Sequence, residues 1–484
     1  AGSGKTRTLT YRVAYLLEQG VPADRILLLT FTNKAAREMM DRVTDLIGRD
    51  MSELWGGTFH SIGHRILRRH AEVLDFTRSF TIQDREDAKG LINACIVEAE
   101  IDVKATRFPK PDVVGDIGSL AINKQIDVRE IIEDRYPWFE QLTEQIIDVL
   151  ARYAKRKRAN GLMDFDDLLV LWLKLMKEHA DVCELYQRRF QFVLVDEYQD
   201  TNQLQAELID LLGERYKNVM VVGDDSQSIY SWRGANFQNI IEFPERYPGA
   251  QVYKIETNYR STPQILELAN AAIAANTQQF TKKLDAARTA GEMPALVVCG
   301  AADEQATFVA QRALELREEG IELNDMAVLY RSHFHALELQ LELTRRNIPF
   351  SITSGIRFFE QAHIKDVTAY LRWLANPRDE QAFKRIVLML PGVGGKTAFK
   401  LWDQFLAAHE PARPLAECLQ GCISVPKKAR VPWAQLSATV SQLQSEPVAG
   451  DAGQMIELIV EAGYSDHVEA NYDKAPQRLD DLEQ

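Results

Sequence analysis

The first six residues have the types and spacing of a phosphate-binding loop. Residues 1–6 read AGSGKT, which contains the end of the pattern G-x-x-x-x-G-K-[ST]. In that pattern the backbone amides of a glycine-rich turn hold phosphates, the lysine reaches the outer phosphates, and the hydroxyl binds Mg²⁺. The residues that follow, TRTLTYRVAYLL, repeat apolar side chains at helical spacing. The candidate nucleotide-binding residues are therefore Gly2, Ser3, Gly4, Lys5 and Thr6, and Thr6 is also a candidate magnesium ligand.

Two carboxylates follow a short apolar run further along the chain. Residues 192–195 read FVLV, and Asp196 and Glu197 come directly after them. In nucleotide-binding sheets the strand ends face the ligand crevice. We expect Asp196 to hold the magnesium and Glu197 to orient or deprotonate the attacking water. The alternative is an ordinary acidic exit from a surface strand, and the glycine loop favours catalysis.

A third apolar run, residues 219–222, leads into the loop GDDSQSIYSWRG at 223–234. Gln227 suits contact with a terminal phosphate or the attacking water. Tyr230 and Trp232 stand two apart in the same loop and can reach a second ligand. The loop is therefore expected to couple two sites, although an aromatic loop that packs between domains has the same composition.

A second G-K-T string occurs at residues 392–397, which read GVGGKT. The segment before it, 383–390, has a helical pattern, whereas a phosphate-binding loop follows a strand. This copy is therefore not a second nucleotide site. It fits the hairpin of a helix-hairpin-helix, whose amides hold a nucleic-acid phosphate, and it equally fits a plain turn between helices.

The apolar runs predict an α/β fold with parallel strands. Short runs suited to strands buried on both faces alternate with helical patterns. Residues 61–190 and the chain after 354 are mainly helical. The predicted strands are 26–31, 192–195, 219–222, 252–255, 296–299 and 327–330.

Composition places the chain among globular, water-soluble proteins. It has 46% hydrophobic and 26% charged residues and no apolar run near the ~18 residues of a membrane span. Five scattered cysteines fit a reducing compartment, so the cytoplasm is expected. The net charge of −13 argues against coating nucleic acid by bulk charge, but it leaves room for a locally basic, aromatic groove.

Taken in order, these segments resemble the UvrD/Rep family of superfamily 1 DNA helicases. The resemblance covers essentially the whole chain. Besides the glycine loop it rests on TFTNKAA at 30–36, GTFH at 57–60, VDEYQDT at 195–201, QSIYSWRG at 227–234, NYRS at 258–261 and LYRS at 329–332.

The resemblance implies a P-loop NTPase with two RecA-like parallel-sheet domains, each interrupted by an α-helical insertion. The implied boundaries are 1–60 with 191–256 for the first RecA-like domain and 61–190 for its insertion. Residues 257–354 would belong to the second RecA-like domain, and 355–484 to the second insertion. The family's final motifs do not occur before residue 484, so an internal fragment is expected, with both the second RecA-like domain and its insertion incomplete.

The resemblance also assigns roles to single residues. Lys5, Thr6 and Asp196 would bind phosphate and magnesium, and Glu197 would activate water. Gln227 would sense the γ-phosphate, Arg260 would act as an arginine finger, and Tyr259 with Arg7 would hold the adenine. The implied single-strand contacts are the stacking residues Phe31, Tyr230 and Trp232, with Thr32, Asn33, Thr58, His60 and Arg233 beside them.

The implied function is an ATP-dependent and Mg²⁺-dependent DNA helicase that moves 3′ to 5′ on single-stranded DNA. Its expected substrates are single strands and single-strand/duplex junctions in repair or replication, in the cytoplasm and on the nucleoid. The fragment alone is not expected to unwind DNA. Two alternatives remain: a nucleotide-binding and strand-binding module without turnover, and a subunit of a helicase-nuclease.

Overall fold

The computed structural model describes residues 2–103, 105–331, 333–352, 361–410 and 413–472, with 475, 478, 479 and 482. The chain divides into two compact units. The first comprises Ala1–Ala290 with His363–Gln484, and the second comprises Gly291–Ala362.

A four-stranded parallel sheet lies at the centre of the first unit, in the order β2-β1-β5-β6. The strands are β1 Ile26–Thr30, β2 Trp55–Thr58, β3 Thr81–Ile82, β4 Leu162–Met163, β5 Phe192–Val195, β6 Val219–Val221, β7 Thr257–Asn258 and β8 Asp285–Ala286. Every residue of β1 is buried, which explains its unbroken apolar run. Because the four strands are parallel, the residues that follow them meet at one edge of the sheet.

Helices cover both faces of this sheet. The helices of the chain up to residue 273 are α1 Lys5–Glu18, α2 Asn33–Ile47, α3 Phe59–His70, α4 Arg85–Glu98, α5 Pro111–Lys124, α6 Val128–Arg135, α7 Thr143–Ala159, α8 Phe165–Glu178, α9 Ala180–Arg189, α10 Gln203–Gly213, α11 Gln238–Ile241, α12 Phe243–Arg246 and α13 Pro263–Ile273. Alternate residues of β1 point to opposite faces. Leu28 packs in the core with α1 and α2, whereas Leu27 packs in the core with α3 and α8.

The remaining helices are α14 Ala302–Glu318 and α15 Leu337–Arg345 in the second unit, followed by the helices of the C-terminal region. The latter are α16 Ala362–Ala375, α17 Glu380–Leu388, α18 Gly395–Ala408, α19 Leu415–Gln420, α20 Arg430–Leu443, α21 Ala452–Ile459 and α22 Ser465–Asn471. An aromatic core holds the C-terminal region together: Phe383 and Phe405 stack 5.2 Å apart, and Trp373 lies beside both.

Charged side chains join the helical region after β2 to the C-terminal helices. Arg156 on α7 pairs with Glu380 at 2.7 Å, and Lys365 on α16 pairs with Asp84 at 2.7 Å. Arg372 contacts the carboxylates of Asp87 and Asp379. We call these ion pairs the ionic seam.

Three of the predicted strands are wrong. Residues 252–255, 296–299 and 327–330 are neither helix nor strand, and they pair with no other strand in the described part of the chain. A strand exists only where a neighbour accepts its backbone hydrogen bonds, and apolar composition does not supply that neighbour. Leu296 and Leu329 accordingly lie 91% and 95% exposed.

The other strand predictions agree with the structure to within one residue. The prediction extends β1 to Phe31 and β6 to Val222, whereas the strands end at Thr30 and Val221. The sequence did not indicate β2, an edge strand of the central sheet, or the two-residue strands β3, β4, β7 and β8. None of the helices in the described ranges has the length and apolar character needed to cross a membrane.

Candidate functional site

The glycine loop forms a turn that ends at the amino terminus of α1. Gly2 and Gly4 have φ of +81° and +87°, a region that glycine enters without strain. Gly4 is the N-cap residue, so no side chain of the N-cap bonds to the amides of the first turn. A β-carbon at Gly2 would lie 2.5 Å from the β-carbon of Arg260. Glycine therefore lets residues 258–260 approach the loop.

Lys5 and Thr6 meet the ends of β5 and β6. The Thr6 hydroxyl donates to the Asp196 carboxylate at 2.9 Å, and the Lys5 ammonium lies 3.3 Å from the Asp224 carboxylate. Mg²⁺ prefers hard oxygen ligands and usually takes one or two protein ligands besides waters and phosphates. The hydroxyl and carboxylate of Thr6 and Asp196 fit this requirement, and the glycine loop beside them fits phosphates.

Asp196 is almost fully buried, with 3% of its surface exposed. Burial raises the pKa of its carboxyl group, and the neighbouring Glu197 raises it further, because both disfavour another negative charge. A bound cation would offset both effects. Glu197 itself has φ of +52°, an uncommon conformation for a residue other than glycine.

Gln199 connects the two strand ends. Its side-chain oxygen accepts from the backbone N–H of Asp224 at 2.8 Å, and its Nε2 donates to Glu197 at 2.8 Å. A β-carbon at Gly223 would lie 2.5 Å from that side-chain oxygen. The sequence prediction did not single out Gln199, although it lies two residues after the catalytic candidate in the segment VDEYQDT.

Asp224 lies between two lysines at the start of the third loop. Lys282 approaches Asp224 at 2.5 Å and Asp225 at 2.7 Å, and Gln227 donates to Asp224 at 2.5 Å. Burial disfavours the ionised carboxylate of Asp224, but the hydrogen bonds and charges of Lys282, Lys5 and Gln227 outweigh it and lower its pKa. Lys282 was missed, because a pair of lysines in a polar segment gives no specific signal in sequence.

The segment at 258–261 lies beside the glycine loop. The Tyr259 N–H donates to the Gly2 carbonyl at 2.9 Å, and the Asn258 side chain accepts from the Arg260 N–H at 2.9 Å. The Tyr259 ring is 66% exposed. Arg7 donates to the Tyr11 hydroxyl at 3.2 Å and lies over that ring, so Tyr11 joins Arg7 and Tyr259 at this end of the site.

A cluster of aromatic rings lies at the same edge of the sheet. Phe31 follows β1, and its ring centroid is 5.1 Å from that of Tyr230. Arg233 lies over the rings of Tyr230 and Trp232, at 5.6 and 4.6 Å. Trp232 is 57% exposed. We call Phe31, Tyr230, Trp232 and Arg233 the aromatic cluster.

The other predicted single-strand contacts follow β1 and β2. Thr32 caps α2 by accepting from Ala35 N–H, and Thr58 caps α3 by accepting from Ser61 N–H. The Thr58 hydroxyl also lies 3.5 Å from the side-chain oxygen of Asn33. These polar groups therefore line the end of adjacent strands, next to the aromatic cluster.

His60 lies at the start of α3 and is partly buried against Phe165, with the two rings 5.8 Å apart. Burial lowers the pKa of His60 to about 4, so the imidazole is neutral at neutral pH. Phe165 is exposed beside it and was not predicted. The neighbouring Phe59, which lies in the segment GTFH, is buried in the core.

The family comparison agrees with this architecture. Residues 1–248 match the UvrD/REP helicase N-terminal domain, and residues 253–405 match the UvrD-like helicase C-terminal domain.

Curated relatives show the same relationship. The chain is 38% identical over 410 residues to the ATP-dependent DNA helicase PcrA of Staphylococcus aureus strain Mu50, which is 84% of this chain and 55% of the relative. It is 39% identical over 404 residues to PcrA of Bacillus subtilis strain 168, covering 83% of this chain and 54% of that protein. The chain thus spans little more than half the length of these relatives. The match over residues 1–248 shows that the chain belongs to the UvrD/Rep family of helicases, with its P-loop NTPase fold class.

Proposed function

We propose that this chain hydrolyses ATP with Mg²⁺ and uses the energy to move along single-stranded DNA, as the motor part of an ATP-dependent helicase. The observation that carries the proposal is the loop from Asp224 to Arg233. It begins between Lys5 and Lys282 at the nucleotide end and finishes in the aromatic cluster. A movement of the loop at the terminal phosphate would therefore be transmitted along this loop to the aromatic cluster.

The hydrolytic roles follow from the positions of the side chains. Lys5 and the amides of the first turn of α1 would hold phosphates, and Thr6 and Asp196 would hold Mg²⁺. The metal would neutralise charge on the phosphates. Glu197 would orient or deprotonate the attacking water. Arg260, from the segment held beside Gly2, would stabilise the transferring phosphoryl group.

Gln227 would read the terminal phosphate. In the structure its carboxamide donates to Asp224, the same carboxylate that Lys5 and Lys282 approach. An incoming phosphate would compete for Lys5 and change the partners of Asp224, and Gln227 would respond because it shares that carboxylate.

The aromatic cluster suits single strands of any sequence. Every base has a face that stacks on an aromatic ring, and the guanidinium of Arg233 adds a charge for the backbone. Thr32, Asn33, Thr58 and the neutral His60 would supply polar contacts. The adenine of ATP would lie against Tyr259, Arg7 and Tyr11 at the opposite end of the site.

The turn between α17 and α18 would hold a phosphate of the nucleic acid. Gly392 has φ of +80°, and a β-carbon there would lie 3.7 Å from that of Lys428. Lys396 and Lys428 are exposed beside the turn, while Val393 is buried in the core and anchors it. Exposed amides with adjacent lysines suit a phosphate, which favours the helix-hairpin-helix interpretation over a plain turn.

The relatives support this assignment, since their names describe ATP-dependent DNA helicases. We carry over 3′ to 5′ movement and a role in repair or replication from the family resemblance. The domain boundaries given above are proposed on the same basis. The five scattered cysteines favour the cytoplasm, and a DNA substrate would bring the protein to the nucleoid.

We further propose that this chain does not separate duplexes on its own. Strand separation requires closure of two ordered domains around ATP. In the described part of the second unit the predicted strands pair with no other strand. The second of the two ordered domains that closure requires is therefore incomplete. ATP-driven strand separation by the purified chain would contradict this proposal.

The central experiment measures phosphate release with and without oligo-dT. We expect stimulation by DNA in the wild-type chain and loss of turnover with retained nucleotide binding in Glu197→Gln. Glu133→Gln, on the exposed side of α6, is the matched control and should behave like wild type. Normal hydrolysis by Glu197→Gln would refute the role of Glu197. Binding of nucleotide and DNA without any hydrolysis by the wild type would favour the binding-module alternative.

A further inference from the structure

A basic surface runs along α3, outside the residues already assigned to the site. Ser61, Arg65 and Arg69 are exposed and follow one another at intervals of four, which aligns them in one stripe along the helix. The opposite side of α3 faces the core. Arg189, at the end of α9, lies beside this stripe. We call Ser61, Arg65, Arg69 and Arg189 the α3 track.

The arginines of the track surround a single indole. The guanidinium carbons of Arg65, Arg189 and Arg69 lie 3.8, 4.9 and 5.0 Å from the ring centroid of Trp55. The face of an indole attracts one cation by about 1 kcal/mol, and it does not neutralise three. The track is therefore a concentration of positive charge in a chain whose net charge is −13.

Few carboxylates oppose this charge. Among the ion pairs within 4 Å in the described ranges, none includes Arg65 or Arg69, and Arg189 approaches only Asp24, at 3.8 Å. Asp24 is shared with Arg25 at 3.7 Å. Burial lowers the pKa of Arg65, and the charges of Arg69 and Arg189 lower it further, as expected where like charges crowd together.

The track continues from the proposed single-strand contacts. The Ser61 hydroxyl donates to the Thr58 carbonyl at 2.8 Å, so the track starts at the end of β2. Arg65 lies over Trp55, the first residue of β2, so α3 runs back along that strand. From Ser61 to Arg69 the helix rises about 12 Å, and the stripe leads away from the aromatic cluster over that distance.

We propose that the α3 track binds backbone phosphates of the single strand beyond the aromatic cluster, one at Arg65 and one at Arg69. This inference rests on the proposed function. The track presents charge but no ring for stacking, because Trp55 is fully buried. It therefore suits phosphates without base selection. Its continuity with Thr58 favours the same strand over a separate acidic protein.

The test compares oligo-dT affinity by fluorescence anisotropy as the strand is lengthened one nucleotide at a time, at either end. The double variant Arg65→Gln/Arg69→Gln should match wild type on the shortest strand that saturates the aromatic cluster. On longer strands only the wild type should gain affinity. Each lost single-strand phosphate contact changes the slope of log K against log salt by about 0.7, so the two slopes should differ by about 1.4. The affinity advantage of the wild type should then shrink about sevenfold between 50 and 200 mM salt.

Two further variants distinguish charge from packing. Arg65→Lys/Arg69→Lys keeps the charges and should keep the gain with length. Arg129→Gln/Lys155→Gln, on exposed positions of α6 and α7, removes the same charge elsewhere and should also keep it.

Several outcomes would overturn the α3 track. An equal gain with length in Arg65→Gln/Arg69→Gln and wild type would do so, as would loss of affinity at every length in both the Gln and the Lys variants. Binding of poly-glutamate at the track with no effect on long strands would assign it to an acidic protein instead. Normal binding of the shortest strand by Trp232→Ala would show that the aromatic cluster is misassigned. This result concerns the proposed function and can be told apart from a failure of the α3 track.

Discussion

Protonation of His60 should destabilise the region around α3 as the pH falls. Its imidazole is expected to be neutral in the folded protein because burial lowers its pKa to about 4, compared with 6.5 for an unperturbed histidine. Between these two values the unfolded chain binds a proton that the folded chain does not bind. The contribution of the neutral imidazole is therefore complete above pH 6.5 and is lost as the pH falls toward 4.

The size of this effect follows from the difference between the two pKa values. One pKa unit corresponds to about 1.4 kcal/mol, so the loss approaches 3 kcal/mol at pH 4 and is about 2 kcal/mol at pH 5. His60→Gln replaces the imidazole by a neutral polar group that does not titrate. The free energy of unfolding of this variant should therefore fall less between pH 7.5 and pH 5 than that of the wild type, by about 2 kcal/mol.

Two measurements check this reasoning. NMR of protein carrying ¹³C-labelled histidine, with His60→Gln used to assign the signal, should give a titration midpoint near 4 for His60. Urea unfolding at pH 7.5 and pH 5 should give the difference between variant and wild type. A midpoint at or above 6.5 would show that the ring is solvated, and an equal pH dependence in both proteins would refute the stability argument.

Three further predictions concern catalysis, strand binding and stability. Arg260→Ala should lower DNA-stimulated phosphate release by about 10³-fold or more, the range for loss of an arginine finger, while nucleotide binding measured by a fluorescent analogue persists. Trp232→Ala should weaken oligo-dT binding in anisotropy by about 1–3 kcal/mol with little change in basal turnover, and unaltered affinity would mean that the ring packs internally. Glu380→Gln, in the ionic seam, should lower the free energy of unfolding by about 3–5 kcal/mol, because it leaves Arg156 and Lys384 without their buried carboxylate. Thermal unfolding would measure that loss, and an unchanged midpoint would show that water replaces the carboxylate.

Local sequence signals predicted the parts of the fold that depend on local properties. The run ILLLT is apolar throughout because β1 is buried on both faces, and the GKT turn leads into α1 because its glycines allow the turn. The carboxylates after β5 could be placed at the sheet edge because parallel strands end together. These arguments need only residue type and order.

Contacts between distant segments were less predictable. Lys282 reaches Asp224 from a polar stretch that has no motif. The strands predicted at 296–299 and 327–330 have suitable residues but lack hydrogen-bonded neighbours in the described chain. Pairing is a property of two segments, so the composition of one segment does not determine it.

Gln199 illustrates how a single side chain can restrict substitution. Its amide must accept from the Asp224 N–H and donate to Glu197 at the same time. Glutamate has the same length but only accepts when ionised, lysine only donates, and asparagine has the right chemistry but is one methylene shorter. The separation between the carboxylate proposed to activate water and the turn proposed to sense phosphate is therefore set by the length of one side chain. Glutamine is the one residue type among these that combines the required reach with both hydrogen-bonding roles.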